Sequence, residues 1–294
     1  MSGGSSREDP SGRKVVVEWI SDARSPFDFF RFCRQGFLHE GHLSLVRQAR
    51  ERADAVVCSI YVNPAQFAPG EDLAVYPRSV DADLTKLAAA GCEAAYVPAR
   101  MYQDPLPVEG APPGKAHQTW VTVERLQQGL CGASRPTFFR GVATVVTKLF
   151  NVVEPDVTVF GEKDYQQLAV VRRLVRDLDF GIEVLAGPLV READGLAMSS
   201  RNANLTPENR ERAAVLHRTL LDVQRRVAAG ATACADLVAE ARRRIEAGGG
   251  RVDYVEIVDA DTLEPLEAVD RAGRVAAAAW FGGPRLLDNV PLPA

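Results

Sequence analysis

Histidine, methionine and tryptophan are scarce in this sequence, which has four, three and three of them among 294 residues. An excess of basic residues is also absent, since 35 lysines and arginines stand against 39 aspartates and glutamates. General binding to nucleic acid or to an anionic membrane needs such an excess, so neither is indicated. A local cationic pocket for phosphates stays possible. No apolar stretch approaches the roughly 18–20 residues that span a bilayer.

Paired cysteines are missing as well. The five cysteines are scattered without a Cys-x-x-Cys pair, at Cys33, Cys58, Cys92, Cys131 and Cys234. An odd and dispersed set is typical of reduced thiols in the cytoplasm, not of a disulfide framework. Residues 1–14 are rich in glycine, serine and charge and lack the apolar core of a secretory signal, which predicts a disordered leader. We therefore expect a cytoplasmic protein with five reduced thiols.

Strand and helix patterns alternate as far as residue 189. Hydrophobic residues are 46% and charged residues 25% of the chain, the balance of a globular protein. The continuous β-branched run at 55–62 predicts a buried parallel strand. Further strands are predicted at 92–97, 157–160 and 182–190, and helices at 80–90, 142–153 and 165–178. This predicts an α/β fold whose first domain, at 15–189, is a Rossmann-like parallel sheet covered by helices.

The pattern changes after about residue 190. Two long helices rich in alanine and arginine are predicted at 207–230 and 233–247, and strands at 252–258 and 275–280. The loss of alternation predicts a second, smaller α+β C-terminal domain at 190–294, serving as a lid. Ligands of parallel sheets bind outside the carboxyl ends of the strands, so polar motifs that follow strands are candidates for function.

The motif His39-Glu40-Gly41-His42 opens a predicted helix. Its glycine allows close backbone approach, and a helix N-terminus offers N–H groups to an anion. Histidines at i and i+3 share one helical face, where they could hold a triphosphate and stabilise charge during displacement. The alternatives are a metal site or two surface histidines. Zinc would need a third ligand, and the two remaining histidines are far away in sequence.

A second motif, at 62–67, follows the strongest predicted strand. Asn63 and Gln66 emerge there at the carboxyl end of the strand, where neutral amides can orient a hydroxy acid without adding charge. The alternative is an ordinary Asn-Pro turn.

The third motif, at 160–167, again leads from a strand into a helix. Lys163 could supply a positive point charge for phosphate oxygens, and Asp164 could hold a ribose hydroxyl. Gln167 could reach the same site as the amides of the second motif. A fourth motif, at 198–202, offers two hydroxyls and a guanidinium to phosphate oxygens. Alone, the third motif would be an ordinary charged loop between a strand and a helix, and a sequence such as the fourth is usually a solvated loop.

Taken together and in this order, the four motifs resemble those of the pantothenate synthetase (pantoate–β-alanine ligase) family, within the HIGH-type nucleotidyltransferase superfamily. The resemblance extends from about residue 36 to 289 and includes FGEKDYQQL at 160–168 and DGLAMSSRN at 194–202. It implies an ATP-dependent ligase that activates an acid as an acyl adenylate, releases pyrophosphate, and then forms an amide with release of AMP. It also implies ATP and magnesium (Mg2+) as cofactors, small acid and amine substrates, and a homodimer.

The family's residue roles carry over where the motifs match. The resemblance implies six catalytic residues. His39, His42 and Lys163 would contact the ATP phosphates, and Lys163 would also help to stabilise the transition state. Ser199, Ser200 and Arg201 would close over the phosphates from the second domain. The nucleotide site would be completed by Gly41, Gly161, Met198 and, at the ribose, Asp164. The acid would be bound by Gln66 and Gln167, with Asn63 nearby.

Four positions that would face the acid depart from the family pattern. They are Gln35, Phe37, Tyr61 and Phe138, where the family usually has methionine, alanine, phenylalanine and histidine. Such changes alter volume and polarity in one cavity, so we expect pantoate to be a poor substrate. The default reaction joins pantoate to β-alanine. The alternatives are simple repacking of the same pocket, a ligase recruited to a different small acid and amine, and a non-catalytic paralogue that binds nucleotide.

Overall fold

The structure is a computed structural model that describes residues 15–20, 38–66, 80–104, 106 and 116–293, with backbone alone for 15–20. The leader expected at 1–14 lies outside the described residues. So do Cys33, Gln35 and Phe37.

The first sheet has five parallel strands in the described chain. In chain order they are β1 Val15–Ile20, β2 Ala55–Ile60, β3 Ala94–Tyr96, β4 Val157–Gly161 and β5 Glu183–Gly187. Their order across the sheet is β3-β2-β1-β4-β5. The α/β fold with a Rossmann-like parallel sheet is therefore confirmed. The central strand β1 was not predicted, although Val15, Val16 and Val17 are β-branched.

Helices on this sheet bury one apolar face each. They are α1 Glu40–Arg50, α2 Val80–Ala89, the short α3 Cys131–Ser134, α4 Phe138–Val153 and α5 Tyr165–Asp177. In α4 the residues Val142, Val145, Val146 and Leu149 repeat at helical spacing and are almost fully buried. The chain leaves α2 through Gly91, whose φ of +89° suits a glycine after a helix. Helix α4 begins four residues before the predicted start.

The second sheet is antiparallel and follows three further helices. These helices are α6 Pro207–Ala213, α7 Val215–Ala228 and α8 Cys234–Ala247. The strands are β6 Arg251–Asp259, β7 Gly273–Trp280 and β8 Arg285–Leu292, in the order β6-β7-β8. The helix predicted at 207–230 is divided at Ala214, so the single-helix expectation was wrong. Strand β8 was missed because it contains Asp288 and Pro291; a proline is tolerated there because β8 is an edge strand.

The hydrophobic core around α4 and α5 includes residues from both sheets. Leu220, Ile245 and Phe281 are fully buried in the core of the second sheet. Val258 and Ala276, on β6 and β7, are buried instead in the core that holds α4 and α5. The second sheet thus packs one side against the first unit. The division at residue 190 stays a prediction.

Two further expectations concern thiols and membranes. The four cysteines within the described ranges form no disulfide. Of the helices described, none is both long enough and apolar enough to cross a membrane.

Candidate active site

A cavity lies at the carboxyl ends of β4 and β5, against the start of α1. It encloses about 600 Å³, part of it open to solvent. Three of the four sequence motifs contribute to its wall, through His39, Gly41, His42, Gly161, Lys163, Asp164, Gln167 and Met198. The structure therefore brings together residues that are up to 159 positions apart in the sequence.

The first motif packs tightly at the N-terminus of α1. The rings of His39 and His42 are stacked, with centroids 3.8 Å apart, and the His39 N–H donates to His42 Nδ1 at 3.4 Å. A Cβ at Gly41 would lie 3.0 Å from the His39 ring and 3.4 Å from Met198 Cβ. A side chain here would therefore press on the His39 ring, and the fourth motif lies within van der Waals reach of the first.

In the part of the chain that the structure describes, the other two histidines lie apart from the pair at α1. No group of three or more potential ligands is present in that part of the chain. His117 packs edge-on against Trp120, with ring centroids 5.0 Å apart. His217 lies 3.5 Å from Asp288. Neither histidine lines the cavity that holds His39 and His42.

Lys163 is a partly buried cation where the cavities of the site meet. It lies in a 3₁₀ turn, Glu162–Asp164, between β4 and α5, with its Nζ 3.4 Å from Asp164 Oδ2. Its side chain is 18% exposed, against 42% for Asp164. Burial of this kind strengthens the attraction of an ammonium group for an anion.

The fourth motif forms a second wall around Lys163. Ser199 caps a 3₁₀ turn, Ser200–Asn204, and its Oγ accepts the Arg201 N–H at 3.3 Å. Ser199 and Arg201 line a narrow cavity with Lys163, and Arg201 is 8% exposed. Ser200 begins the turn and is half-buried. Two hydroxyl groups and a guanidinium thus lie on one tight turn near the ammonium group.

A larger cavity, of about 750 Å³ including open space, lies between the second sheet and the starts of α4 and α5. Gln167 and Lys163 line both this cavity and the one at α1. The neighbouring Gln166 also lines the larger cavity, but its amide is bound within the protein. Its amide binds the carbonyl oxygens of Leu126 and Gly129 at 2.9 and 2.7 Å and shapes that loop.

Phe138 and Arg135 form one wall of the larger cavity. Phe138 is the first residue of α4, and the Arg135 guanidinium lies 4.1 Å from the centre of its ring. Arg135 Nη2 also donates to the Gln66 carbonyl oxygen at 2.8 Å. The guanidinium therefore links the second motif to the position where the family usually has histidine. Gln66 itself is 3% exposed.

The Asn63 side chain makes three hydrogen bonds within the protein. Its Nδ2 donates to the Gly141 carbonyl oxygen at 3.0 Å, and its Oδ1 accepts from Ala65 N–H at 3.2 Å and Tyr102 O–H at 3.0 Å. These bonds build the predicted Asn-Pro turn and anchor it to α4. A role for Asn63 at the acid stays a prediction.

The hydroxyl group of Tyr61 also makes a hydrogen bond within the protein. Its hydroxyl accepts from the Met101 N–H at 3.2 Å, and burial raises the pKa of the phenol. The hydroxyl that distinguishes Tyr61 from phenylalanine is therefore engaged with the loop after β3.

The second sheet adds polar residues to the larger cavity that the motifs did not indicate. They are Tyr254, Arg274, Arg285, Asp288 and Asn289. Arg274 and Arg285 are 8% and 5% exposed. The signal that could have found them is charge within strand patterns, since charged residues are rarely buried without a partner.

A parallel sheet with a cationic cavity at the carboxyl ends of its strands is typical of an α/β nucleotide-binding protein. The family model for pantoate-beta-alanine ligase matches residues 20–291. The pantothenate synthetase of Anaeromyxobacter dehalogenans is 55% identical over 264 residues, covering 88% of this chain and 89% of that protein. The chain belongs to the pantoate–beta-alanine ligase family.

Solved structures agree with this assignment. The crystal structure of pantothenate synthetase from Thermus thermophilus has a TM-score of 0.82 and 41% identity, covering 96% of this chain and 94% of that one. A ligase from Francisella tularensis, complexed with beta-gamma ATP and beta-alanine, has a TM-score of 0.71 and 27% identity. It covers 95% of this chain and 89% of that one.

Proposed function

We propose that this chain joins pantoate to β-alanine at the expense of ATP. The main support for this proposal is that residues of three motifs line one cavity with Lys163, at the carboxyl end of β4. A pantoate carboxylate oxygen attacks the α-phosphorus of ATP, and the bond to pyrophosphate breaks. The amine of β-alanine then attacks the acyl carbon of the adenylate. AMP leaves, and the nitrogen loses a proton to give the amide.

The cavity at α1 holds ATP in this proposal. The stacked pair of His39 and His42 contacts the phosphates, and Gly41 lets them approach the helix N-terminus. Asp164 accepts the ribose hydroxyls, and Gly161 and Met198 line the remaining wall. Mg2+ accompanies the phosphates and needs no dedicated protein cage.

Charge that develops on the phosphates is stabilised by the groups around Lys163. Lys163 and Arg201 bring fixed positive charge into a largely enclosed space, where it acts more strongly than in water. The hydroxyls of Ser199 and Ser200 add donors from the segment after β5. The unit at 190–294 then serves as a lid on the unit at 15–189.

The acid lies in the larger cavity beside Gln167 and Phe138. Gln66 is joined to that wall through Arg135. Asn63 and Tyr61 do not line that cavity and are assigned to the acid from the sequence alone. Gln35 and Phe37 are assigned to the same wall from the sequence alone. Relatives more than half identical over most of the chain are named for pantothenate. This favours pantoate over the altered acid that the substitutions led us to expect, and it favours repacking of one pocket as their effect.

The test is pyrophosphate–ATP exchange with purified protein. Labelled pyrophosphate should enter ATP only when pantoate is present, and AMP should accumulate only when β-alanine is added as well. Exchange with other small acids but not with pantoate would favour a recruited ligase. ATP binding without exchange for any acid would favour a non-catalytic paralogue.

A matched pair of variants ties the exchange to the site. Lys163→Ala should lower the exchange rate by about 10²–10³, the usual loss for one preorganised donor. Lys148→Ala removes a lysine that lies over the Tyr102 ring, away from the cavity at α1, and should leave the rate unchanged. Equal rates in both variants would remove Lys163 from the mechanism.

Two further proposals concern the assembled protein. The protein is a cytoplasmic homodimer that takes small-molecule substrates, as the family resemblance implies. Light scattering should give twice the mass of one chain, and a monomer mass at all concentrations would exclude the dimer.

A further inference from the structure

Asn289, on β8, reaches across to the turn that carries Lys163. Its Nδ2 donates to the carbonyl oxygens of both Glu162 and Lys163, at 3.0 Å each. A primary amide has two hydrogens, so each carbonyl receives one of them. The side chain is 5% exposed, which means that water does not substitute readily for either bond.

The Asn289 amide is itself held in place. Its Oδ1 accepts from Arg274 Nη1 at 2.5 Å, and the backbone N–H of Asn289 donates to Asp288 Oδ1 at 2.7 Å. The Arg274 guanidinium lies 3.7 Å from the centre of the Tyr165 ring, at the start of α5. The Asn289 side chain therefore has little rotational freedom, and the second sheet holds the turn through the carbonyl groups of Glu162 and Lys163.

We infer that Asn289 is a positioning residue for Lys163. Two consecutive peptide planes flank the Lys163 Cα, and the two hydrogen bonds fix the carbonyl of each. Fixing both planes sets the direction in which the Lys163 side chain leaves the backbone. Without them the turn can rotate, and the Nζ moves relative to the cavity it lines.

This inference rests on the proposed function of Lys163. A displacement of about 1 Å in a catalytic group can cost about 10²-fold in rate. The loss should fall more on the step in which charge develops than on ATP binding, since the histidine pair lies at the start of α1, outside the turn that Asn289 holds. The expected signature is a lower kcat for exchange with a nearly constant KM for ATP.

The experiment is a double-mutant cycle between Asn289 and Lys163, measured by the rate of pyrophosphate–ATP exchange. Asn289→Asp keeps the shape and the acceptor for Arg274 but replaces the two donors by an oxygen. It should lower kcat about 10- to 100-fold and change the KM for ATP less than about threefold. In a Lys163→Ala background the same substitution should have almost no further effect, because the two residues act as one unit.

Gln224→Ala is the matched control. It removes a side-chain hydrogen bond to the same strand, from Gln224 Nε2 to the Pro291 carbonyl oxygen at 2.8 Å, without touching the turn. Its kcat should equal that of the unmodified protein. Rates are normalised to sites titrated by ATP binding, so partial unfolding does not imitate the effect. Asn289→Ser, which keeps one donor, should give an intermediate kcat and replaces Asn289→Asp in the cycle if that variant does not fold.

The outcomes distinguish a failure of the role inferred for Asn289 from a failure of the role proposed for Lys163. If the losses from Lys163→Ala and Asn289→Asp multiply, Asn289 does not act through Lys163 and the inference is overturned. An unchanged kcat in Asn289→Asp overturns it as well. If Lys163→Ala alone leaves the exchange rate unchanged, the proposed role of Lys163 fails, whatever Asn289 does.

Discussion

Gly141 should tolerate no side chain, because α4 docks there directly on the turn that follows β2. A Cβ on Gly141 would overlap the Ala65 carbonyl oxygen and lie 2.6 Å from its carbonyl carbon. Both neighbours are backbone, so relief requires α4 and the turn to separate. The Gly141 carbonyl oxygen also accepts the buried hydrogen bond from Asn63 Nδ2, which such a separation would stretch.

The size of the effect follows from three contributions. Overpacking of this kind costs about 1–3 kcal/mol. Loss of a buried hydrogen bond that leaves an amide unpaired costs about 1–3 kcal/mol. Alanine regains about 1 kcal/mol over glycine inside a helix. Gly141→Ala should therefore lower the free energy of unfolding by about 1–5 kcal/mol.

Urea denaturation followed by fluorescence measures this change, and Gly181→Ala is its control. A Cβ at Gly181 would meet nothing within 4 Å, and the position has no positive φ, so that variant should be neutral. Since the displaced turn carries Gln66, we also expect Gly141→Ala to raise the KM for pantoate. Equal stability of the two variants, with an unchanged KM, would refute the reasoning.

The remaining predictions follow from the site and the thiols. His42→Ala should slow pyrophosphate–ATP exchange about 10²–10³-fold with an unchanged circular dichroism spectrum; a normal rate would remove it from the phosphate site. A hydrogen bond from the Cys58 thiol is the largest cause that lowers the pKa of Cys92, to about 7. Iodoacetamide should therefore label Cys92 with a midpoint near pH 7, and Cys58→Ala should move that midpoint upward; an unmoved midpoint would exclude the thiol pair as its cause. Titration of the denatured protein without reductant should find five thiols, and three or fewer would indicate disulfides. Phe138→His should change kcat/KM for pantoate less than about tenfold, and a large gain would instead indicate a pocket altered for another acid.

Periodicity in the sequence was enough to predict the parallel sheet, because a buried strand such as 55–62 must be apolar on both faces. The strand β1 was missed, although its run of three valines lies between segments that contain glycine, serine and proline, which are typical boundaries of a strand. Periodicity also missed β8, where Asp288 and Asn289 interrupt the apolar pattern. Those two residues are buried because each has partners from elsewhere in the chain, and local patterns carry no information about such partners.

The residues of the candidate site were likewise predicted only in part. Lys163, His39 and His42 follow or open regular elements, so chain order and the general geometry of α/β folds placed them in one cavity. The contribution of the second sheet could not be predicted, since it depends on how the sheets pack. Asn63 looked like a ligand-binding amide in the sequence. In the structure all three of its hydrogen bonds are internal.

The position of Asn289 also has a consequence for the order of synthesis. The turn that carries Lys163 leaves the ribosome well over one hundred residues before the side chain that orients it. Its neighbour Asp288, which holds Arg191 through two bonds of 2.7 and 2.9 Å, arrives equally late. The contacts that hold the Lys163 turn are therefore complete only when β8 has been synthesised, so the last strand of the described chain is also the last part of the site to be supplied.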